Sequence, residues 1–361
     1  MEPPVAAAAP AARNIGIDLA RGVAVVLMIQ THALDGWASP AAKAGWGYAL
    51  SRAFANIPAP LFLLLAGIGL AFGHRPGRPA ATGRLARRAL QVVGYGYLVS
   101  LIYTLIEGRL DPKALLRADI LHCIGLSLLL CTWVLVGRSH LGRRAAALAG
   151  GALLAGLAAG RWLPPLPDWL AVPTALLVDV PGYTRFPLFP LCGFTAVGVA
   201  VGAALQRRSP PVGFCLAGLL LLVALVPVWQ ELTGVTLALL GGKLSRSHPA
   251  VVWNFLEGCT RALAVLFGSL AVAGLLAQRQ ASQHPAITWL VRLGRGSLLA
   301  YAVHIPLCYG RLARPLAHKL ELPLATLLVA ALTAFTYCVV LARDLIKARQ
   351  RPQPAREPPR S

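Results

Sequence analysis

Charge is what this sequence has least of. Asp, Glu, Lys and Arg make up 13% of its 361 residues, against about 25% in an ordinary soluble domain. With 57% hydrophobic residues and a mean hydropathy of +0.65, too little polar surface remains to enclose one soluble core, and a soluble globular domain is excluded. Acids are scarcer than bases, 13 against 34, which leaves a net charge of +21. That excess does not point to nucleic acid, because Lys and Arg sit mainly in short segments between apolar runs. There they set membrane orientation and meet anionic lipid head groups.

Other absences narrow the field further. The cysteines Cys123, Cys131, Cys192, Cys215, Cys259, Cys308 and Cys338 form no Cys-x-x-Cys pair and fall in or beside apolar runs. Neither a disulfide framework nor a metal site is expected. The first apolar run carries Asp18 and Arg21 and is not followed by a small-residue cleavage pattern, so a cleaved signal peptide is not expected. No pair of matching motifs divides the chain into two halves, and the inverted repeat of many transporters is not evident.

What is present is a series of apolar runs of about 20 residues, each long enough to cross a hydrocarbon core roughly 30 Å thick. They lie near 14–34, 54–73, 87–107, 116–137, 144–163, 186–206, 211–231, 250–277, 289–310 and 322–342. The pattern predicts an all-α polytopic membrane protein of about ten transmembrane helices, a single domain over 14–343. The Ala- and Pro-rich segment 1–13 and the basic, Pro-rich segment 344–361 are expected to be disordered tails. Arg75, Arg78, Arg84, Arg87 and Arg88, then Arg138, Arg143 and Arg144, then Arg207 and Arg208, then Arg279 occupy the even-numbered connections. Those connections are therefore expected in the cytoplasm with both termini, although Arg311, Arg314 and Lys319 in the last outer connection run against the rule.

Polar side chains inside such runs cost roughly 2.5 to 3.5 kcal/mol each on insertion scales, so each asks for a partner or a function. In the first span Asp18 and Arg21 share a helical face, and His32 follows roughly 16 Å along the axis. The fourth opens with Asp119 and His122, three apart, which suits a base and its orienting acid or, equally, a helix cap beside a satisfied histidine. The eighth carries Asn254, Glu257 and Arg261, where Glu257 and Arg261 also suit a structural ion pair. The ninth carries Arg292, Arg295, Ser297, Tyr301 and His304 and mirrors the first, with Arg at the inner end and His at the outer. Guanidinium groups at the inner end suit phosphates, and imidazoles at the outer end suit proton transfer. Jointly, His32, His122, His304, Asp119, Asn254 and Glu257 map to the outer half, and Asp18, Arg21, Arg87, Arg88, Arg292 and Arg295 to the inner half.

These residues carry a resemblance. The string from Asn14 through Asp18, Arg21 and Gly22 to His32, then Ala59-Pro60 to Gly67, Asp119 to Gly125, Phe186-Pro187 to Pro190, and Gly294 to His304 resembles the heparan-alpha-glucosaminide N-acetyltransferase catalytic-domain family. It is also similar to the wider acyltransferase-3-like group of transmembrane enzymes that modify bacterial surface sugars. The resemblance implies transfer of an acetyl or other acyl group from acetyl-CoA, a co-substrate taken from the cytoplasm, to a saccharide or glycan on the far side of a bacterial inner membrane. No permanently bound cofactor is implied. The lysosomal family pattern places a catalytic His after the first span, yet no His occurs between Ala33 and Gly73. His32 instead matches the His that surface-sugar O-acyltransferases carry at the end of the first span. The expected set is therefore His32, Asp119, His122 and His304 for catalysis, Asp18, Arg21, Arg292 and Arg295 for the donor, and Asn254, Glu257 and Tyr301 for the acceptor. A proton-coupled transporter or flippase using Asp18, Glu257 and the histidines stays open beside this reading, as does a scaffold without activity.

Overall fold

Backbone amides buried in lipid must bond within their own segment, and the apolar runs accordingly fold as helices. The structure, a computed structural model, describes residues 14–74, 80–108, 112–136, 139–164, 166–180, 182–241, 249–279 and 284–350. The 1–13 tail, residues 351–361, Arg75, Arg78 and Arg138 lie outside the described residues. Along the chain run α1 (Ile15–Trp37), α2 (Pro40–Ala44), α3 (Trp46–Arg52), α4 (Pro58–Gly73), α5 (Ala80–Glu107), α6 (Pro112–Leu115), α7 (Ile120–Val134) and α8 (Leu141–Trp162). They are followed by α9 (Asp168–Leu177), α10 (Leu188–Arg207), α11 (Val212–Leu240), α12 (Val251–Gln278), α13 (Pro285–Arg295), α14 (Ser297–Cys308) and α15 (Leu322–Arg349). No strand occurs among the described residues, and two isolated bridges, Ala38 to Leu320 and Ala118 to Thr184, tie connections together.

Among the described residues six helices are long and apolar enough to cross a membrane: α1, α10, α11, α12, α15 and the stretch Thr82–Glu107 of α5. The other expected spans also fall on helices, but shorter or less apolar ones. α7 has 15 residues, about 22 Å of helix, less than the hydrocarbon core. Its start is continued by non-helical chain at Ala118, whose N–H bonds to Tyr183 O and whose carbonyl accepts from Arg185 N. Irregular backbone at such a depth is tolerated where it lines a cavity or is covered by protein.

Three boundaries differ from the sequence expectation. The ninth span is two helices, α13 and α14, parted at Gly296, where the backbone leaves the helical region (φ −95°, ψ 10°). α11 runs nine residues past its expected end at 231, through Pro227. α15 continues to Arg349, beyond the expected tail boundary at 344, because Asp344 to Arg349 contains no proline and the first one comes at Pro352.

α1 is the central element. Its apolar window is 61% buried, whereas that of α11 at the periphery is 6% buried. Asn14 caps α1 by accepting from Gly16 N (3.0 Å) and Ile17 N (3.4 Å). One side of α1 faces α4 and α12, and the other faces α13, α14 and α15. The contact with α13 and α14 is at backbone distance. A Cβ on Gly294 would lie 2.7 Å from Gly22 N and closer still to Asp18 O, and one on Gly36 would strike Cys308 O. Gly22 and Gly294, His32 and His304, and Gly36 and Cys308 are each 272 residues apart. A constant offset means that α1 runs parallel to α13 and α14, residue beside residue. Small side chains let membrane helices approach this closely. The same device joins α4 to α10, where Gly67 meets Thr195 O and Gly198 meets Leu64 O.

Candidate functional site

Between α1, α4, α7, α12 and α14 lies a cavity of about 720 Å³, within the range of small-molecule sites. Apolar side chains such as Met28, Phe62, Ile124 and Phe194 form most of its wall. Its polar lining includes Arg21 and Ser297 toward one end, His32, Asp119, Arg185 and Tyr309 toward the other, and Asn254, Glu257 and Arg261 on the α12 wall. Arg21 and His32 are eleven residues apart on one straight helix, roughly 16 Å.

At the His32 end, Nδ1 of His32 lies 2.8 Å from Nε2 of His304. His304 is fully buried and its Nδ1 lies 2.8 Å from Ala300 O. The Tyr301 hydroxyl donates to Asp119 Oδ2, while Asp119 Oδ1 accepts from Ile120 N at 2.7 Å. Asp119 therefore does two things at once, capping α7 and anchoring α14 across the cavity. Tyr309, whose ring centroid is 5.6 Å from that of His32, donates to Asp35 Oδ2 at 3.1 Å. Asp119, Asp35 and Arg185 are the charged groups that act on His32. Arg185 owes its place to the Ala118 to Thr184 bridge, which brings the residue after Thr184 beside the residue after Ala118.

At the Arg21 end, the buried carboxylate of Asp18 (1% exposed) takes Arg21 Nη1 on Oδ1 at 3.2 Å and Arg295 Nε on Oδ2 at 3.0 Å. The Asp18 carboxylate thus lies between the Arg21 and Arg295 guanidiniums, and Arg295 is 44% exposed. The side wall is held by Glu257, which accepts from Arg261 Nε (2.9 Å), Arg261 Nη2 (2.7 Å) and Gln230 Nε2 (3.0 Å). Arg261 also donates to Ala53 O. Asn254 lies one turn above Glu257 on the same wall.

The family described as heparan-alpha-glucosaminide N-acetyltransferase, catalytic, matches residues 13–224, well over half of the chain. The chain belongs to this family. No curated protein matches it in sequence. The N-acetyltransferase match covers α1 to α10 and the start of α11, and so includes Arg21, His32, Asp119 and Arg185, whereas Asn254, Glu257, Tyr301 and His304 lie beyond it.

Of the expected site, Arg21, His32, Asp119, Asn254, Glu257 and Tyr301 line this cavity. Asp18 and Arg295 adjoin it through Arg21. Three expected members stand elsewhere. His122 turns away: its Nδ1 accepts from Asp119 N (3.2 Å), completing a capping box on α7, and its ring packs edge-on to Tyr97 and against Gly96. The three-residue spacing that seemed to pair an acid with a base is the spacing of a cap. Arg292 reaches α15 instead, donating to the Tyr337 hydroxyl at 3.2 Å. His304 sits behind His32 and does not line the cavity. Sequence reasoning missed Arg185, Asp35 and Tyr309. Asp35 and Tyr309 stand at the ends of the first and ninth spans, where their polarity is unremarkable. Arg185 sits in a connection rich in Pro, where no spacing marks it.

Proposed function

We propose that the protein is an acyltransferase that moves an acetyl or other acyl group from a coenzyme A thioester to a hydroxyl or amine of a saccharide acceptor. The observation that carries this reading is a cavity lined by Arg21 toward one end and His32 toward the other. The donor's phosphates bind at Arg295 and Arg21, its pantetheine arm follows the apolar wall, and its thioester reaches His32. His32 takes the proton from the acceptor O–H or N–H as the acceptor attacks the thioester carbonyl. The C–S bond then breaks, and the same proton passes from His32 to the departing sulfur, giving acylated acceptor and free coenzyme A thiol. A His with an unperturbed value of about 6.5 suits this exchange near neutral pH. Arg185 supplies positive charge at the end where the oxyanion develops, and Asn254 and Tyr301 orient the acceptor. Holding both reactants at fixed separation is itself worth several powers of ten in rate.

The basic connections containing Arg84, Arg87 and Arg88, Arg143 and Arg144, and Arg207 and Arg208 support a cytoplasmic Arg21 end, with both termini on that side of a plasma membrane. Acceptor entry is then from the opposite face. The test is release of free thiol from acetyl-CoA by purified protein in lipid, with and without a pool of amino sugars and polysaccharides. Acceptor-stimulated release that His32→Ala abolishes is the expected result. Donor binding separates this reading from a transporter: no detectable acetyl-CoA binding by the wild-type protein overturns it.

A further inference from the structure

We propose that His304 is a positioning residue that fixes the proton arrangement of His32, holding the Nδ1–H tautomer so that the Nε2 lone pair is the basic atom at the cavity. The inference rests on the acyl-transfer reading for its purpose but on geometry for its content. It starts at Ala300, whose carbonyl oxygen only accepts. With that oxygen 2.8 Å away, Nδ1 of His304 carries a hydrogen. A neutral imidazole has one N–H, so Nε2 of His304 is a bare acceptor. The atom 2.8 Å from it, Nδ1 of His32, is therefore the donor. Neutral His32 then has its lone pair on Nε2.

The ring geometry agrees with a bond rather than a stack. The two imidazole planes differ by 1° and their centroids are 5.1 Å apart, which is what two ring radii and a 2.8 Å bond make when all lie in one plane. The opposite arrangement requires a hydrogen on both nitrogens of His304 and hence a cation. His304 is fully buried, and its described contacts are the Ala300 carbonyl, the Tyr301 backbone, His32 and the edge of the Tyr301 ring. A buried cation without a carboxylate partner is disfavoured by its desolvation cost. The groups that face His32 from the packed elements are Asp35 on its own helix, Asp119 at the start of α7, Arg185 in the connection before α10, and Tyr301 and Tyr309. Among the described residues none of these groups bonds to His304 Nε2, whose partner is His32 Nδ1, so the tautomer is set from behind.

The separation of the two rings is fixed by backbone contact. Gly36 beside Cys308 lies one turn beyond His32 and His304 at the shared offset of 272 residues. A neutral orienting imidazole differs from an orienting carboxylate: it selects the tautomer without adding charge, and its bond to His32 strengthens when Nε2 takes the acceptor's proton and the ring becomes a cation.

The experiment uses the full chain in lipid nanodiscs with imidazole-¹⁵N histidine, the His32 signals assigned by their loss in His32→Ala. The expected result in the wild type is an Nδ1–H, Nε2-bare His32. In His304→Leu, which removes the acceptor, the His32 signals move to the Nε2–H form and kcat falls about 10²- to 10⁴-fold with the acetyl-CoA KM unchanged. His304→Gln offers a side-chain carbonyl in the same place, retains the Nδ1–H form and recovers most of the lost kcat, which a merely structural role for His304 would not predict. An Nε2–H His32 in the wild type, or the same tautomer in wild type and His304→Leu, overturns the proposal. The tautomer readout does not depend on turnover, so a correct tautomer in a protein that binds no acyl donor leaves this assignment standing and sinks the acyltransferase reading alone.

Discussion

Gly294→Ala is a one-methyl change that should reach both ends of the site. The added Cβ would lie 2.7 Å from Gly22 N and nearer still to Asp18 O, so α13 must retreat from α1 by roughly 1 Å to restore ordinary contact. Both opposing atoms belong to backbone and cannot rotate aside. Overpacking of this kind costs about 1 to 3 kcal/mol. The retreat also lengthens the Arg295 to Asp18 bond, now 3.0 Å, toward the limit at which it ceases to be one. Some of the displacement is absorbed at the break at Gly296, and the remainder reaches the 2.8 Å bond between His304 and His32. Misplacement of about 1 Å costs on the order of 10²-fold in rate. The assay is twofold: thermal unfolding in detergent and acceptor-dependent thiol release in lipid. Gly151→Ala is the control, since its Cβ meets nothing within 4 Å and should change neither reading. Wild-type unfolding and wild-type turnover in Gly294→Ala would refute the claim that this contact sets the position of the ninth span against the first.

Two further outcomes follow from the same geometry. Arg21→Gln and Arg295→Gln each remove one charged donor from the Asp18 cluster while leaving the other to neutralise the carboxylate; each should raise the acetyl-CoA KM about tenfold, by the roughly 1.5 kcal/mol of one charge-assisted bond, and initial rates across donor concentration with an unchanged KM would exclude the phosphate role. His122→Gln keeps an acceptor for the Asp119 amide and should leave kcat and stability near wild type. His122→Leu, by contrast, should lower stability by about 1 kcal/mol, the worth of a cap, without a selective loss of kcat; a collapse of turnover at unchanged melting would return His122 to the catalytic set.

The sequence carries the helices well because lipid admits little else, and it carries Arg21, His32, Asp119 and Glu257 because each is a polar group where polarity is expensive. It does not carry direction. Asp119 and His122 share a face by spacing, but the imidazole folds back onto its own helix start. Arg292 and Arg295 also share a helix, and which one meets Asp18 is decided by Tyr337 on α15 and by the break at Gly296, both far from any local pattern. Arg185 is the extreme case: it joins the site through a bridge to Ala118, 66 residues earlier than its own neighbour Thr184. Such pairings are tertiary and leave no periodic trace.

The two polar pairs on α1 and the two close contacts on α1 are one arrangement. Asp18 lies four residues before Gly22, and His32 four residues before Gly36, so each polar residue shares a helical face with the glycine that lets the neighbouring helix in. A carboxylate or an imidazole at membrane depth is costly unless its partner comes within bonding distance. A glycine one turn away is what allows α13 and α14 to bring Arg295 to Asp18 and His304 to His32. The Arg21 end and the His32 end are thus positioned by the same parallel helices, and their separation of roughly 16 Å is the length of helix between them. Neither Asp18 nor His32 can be shifted along the cavity without breaking the glycine contact beside it, which is why the carboxylate and the imidazole hold a fixed spacing along α1.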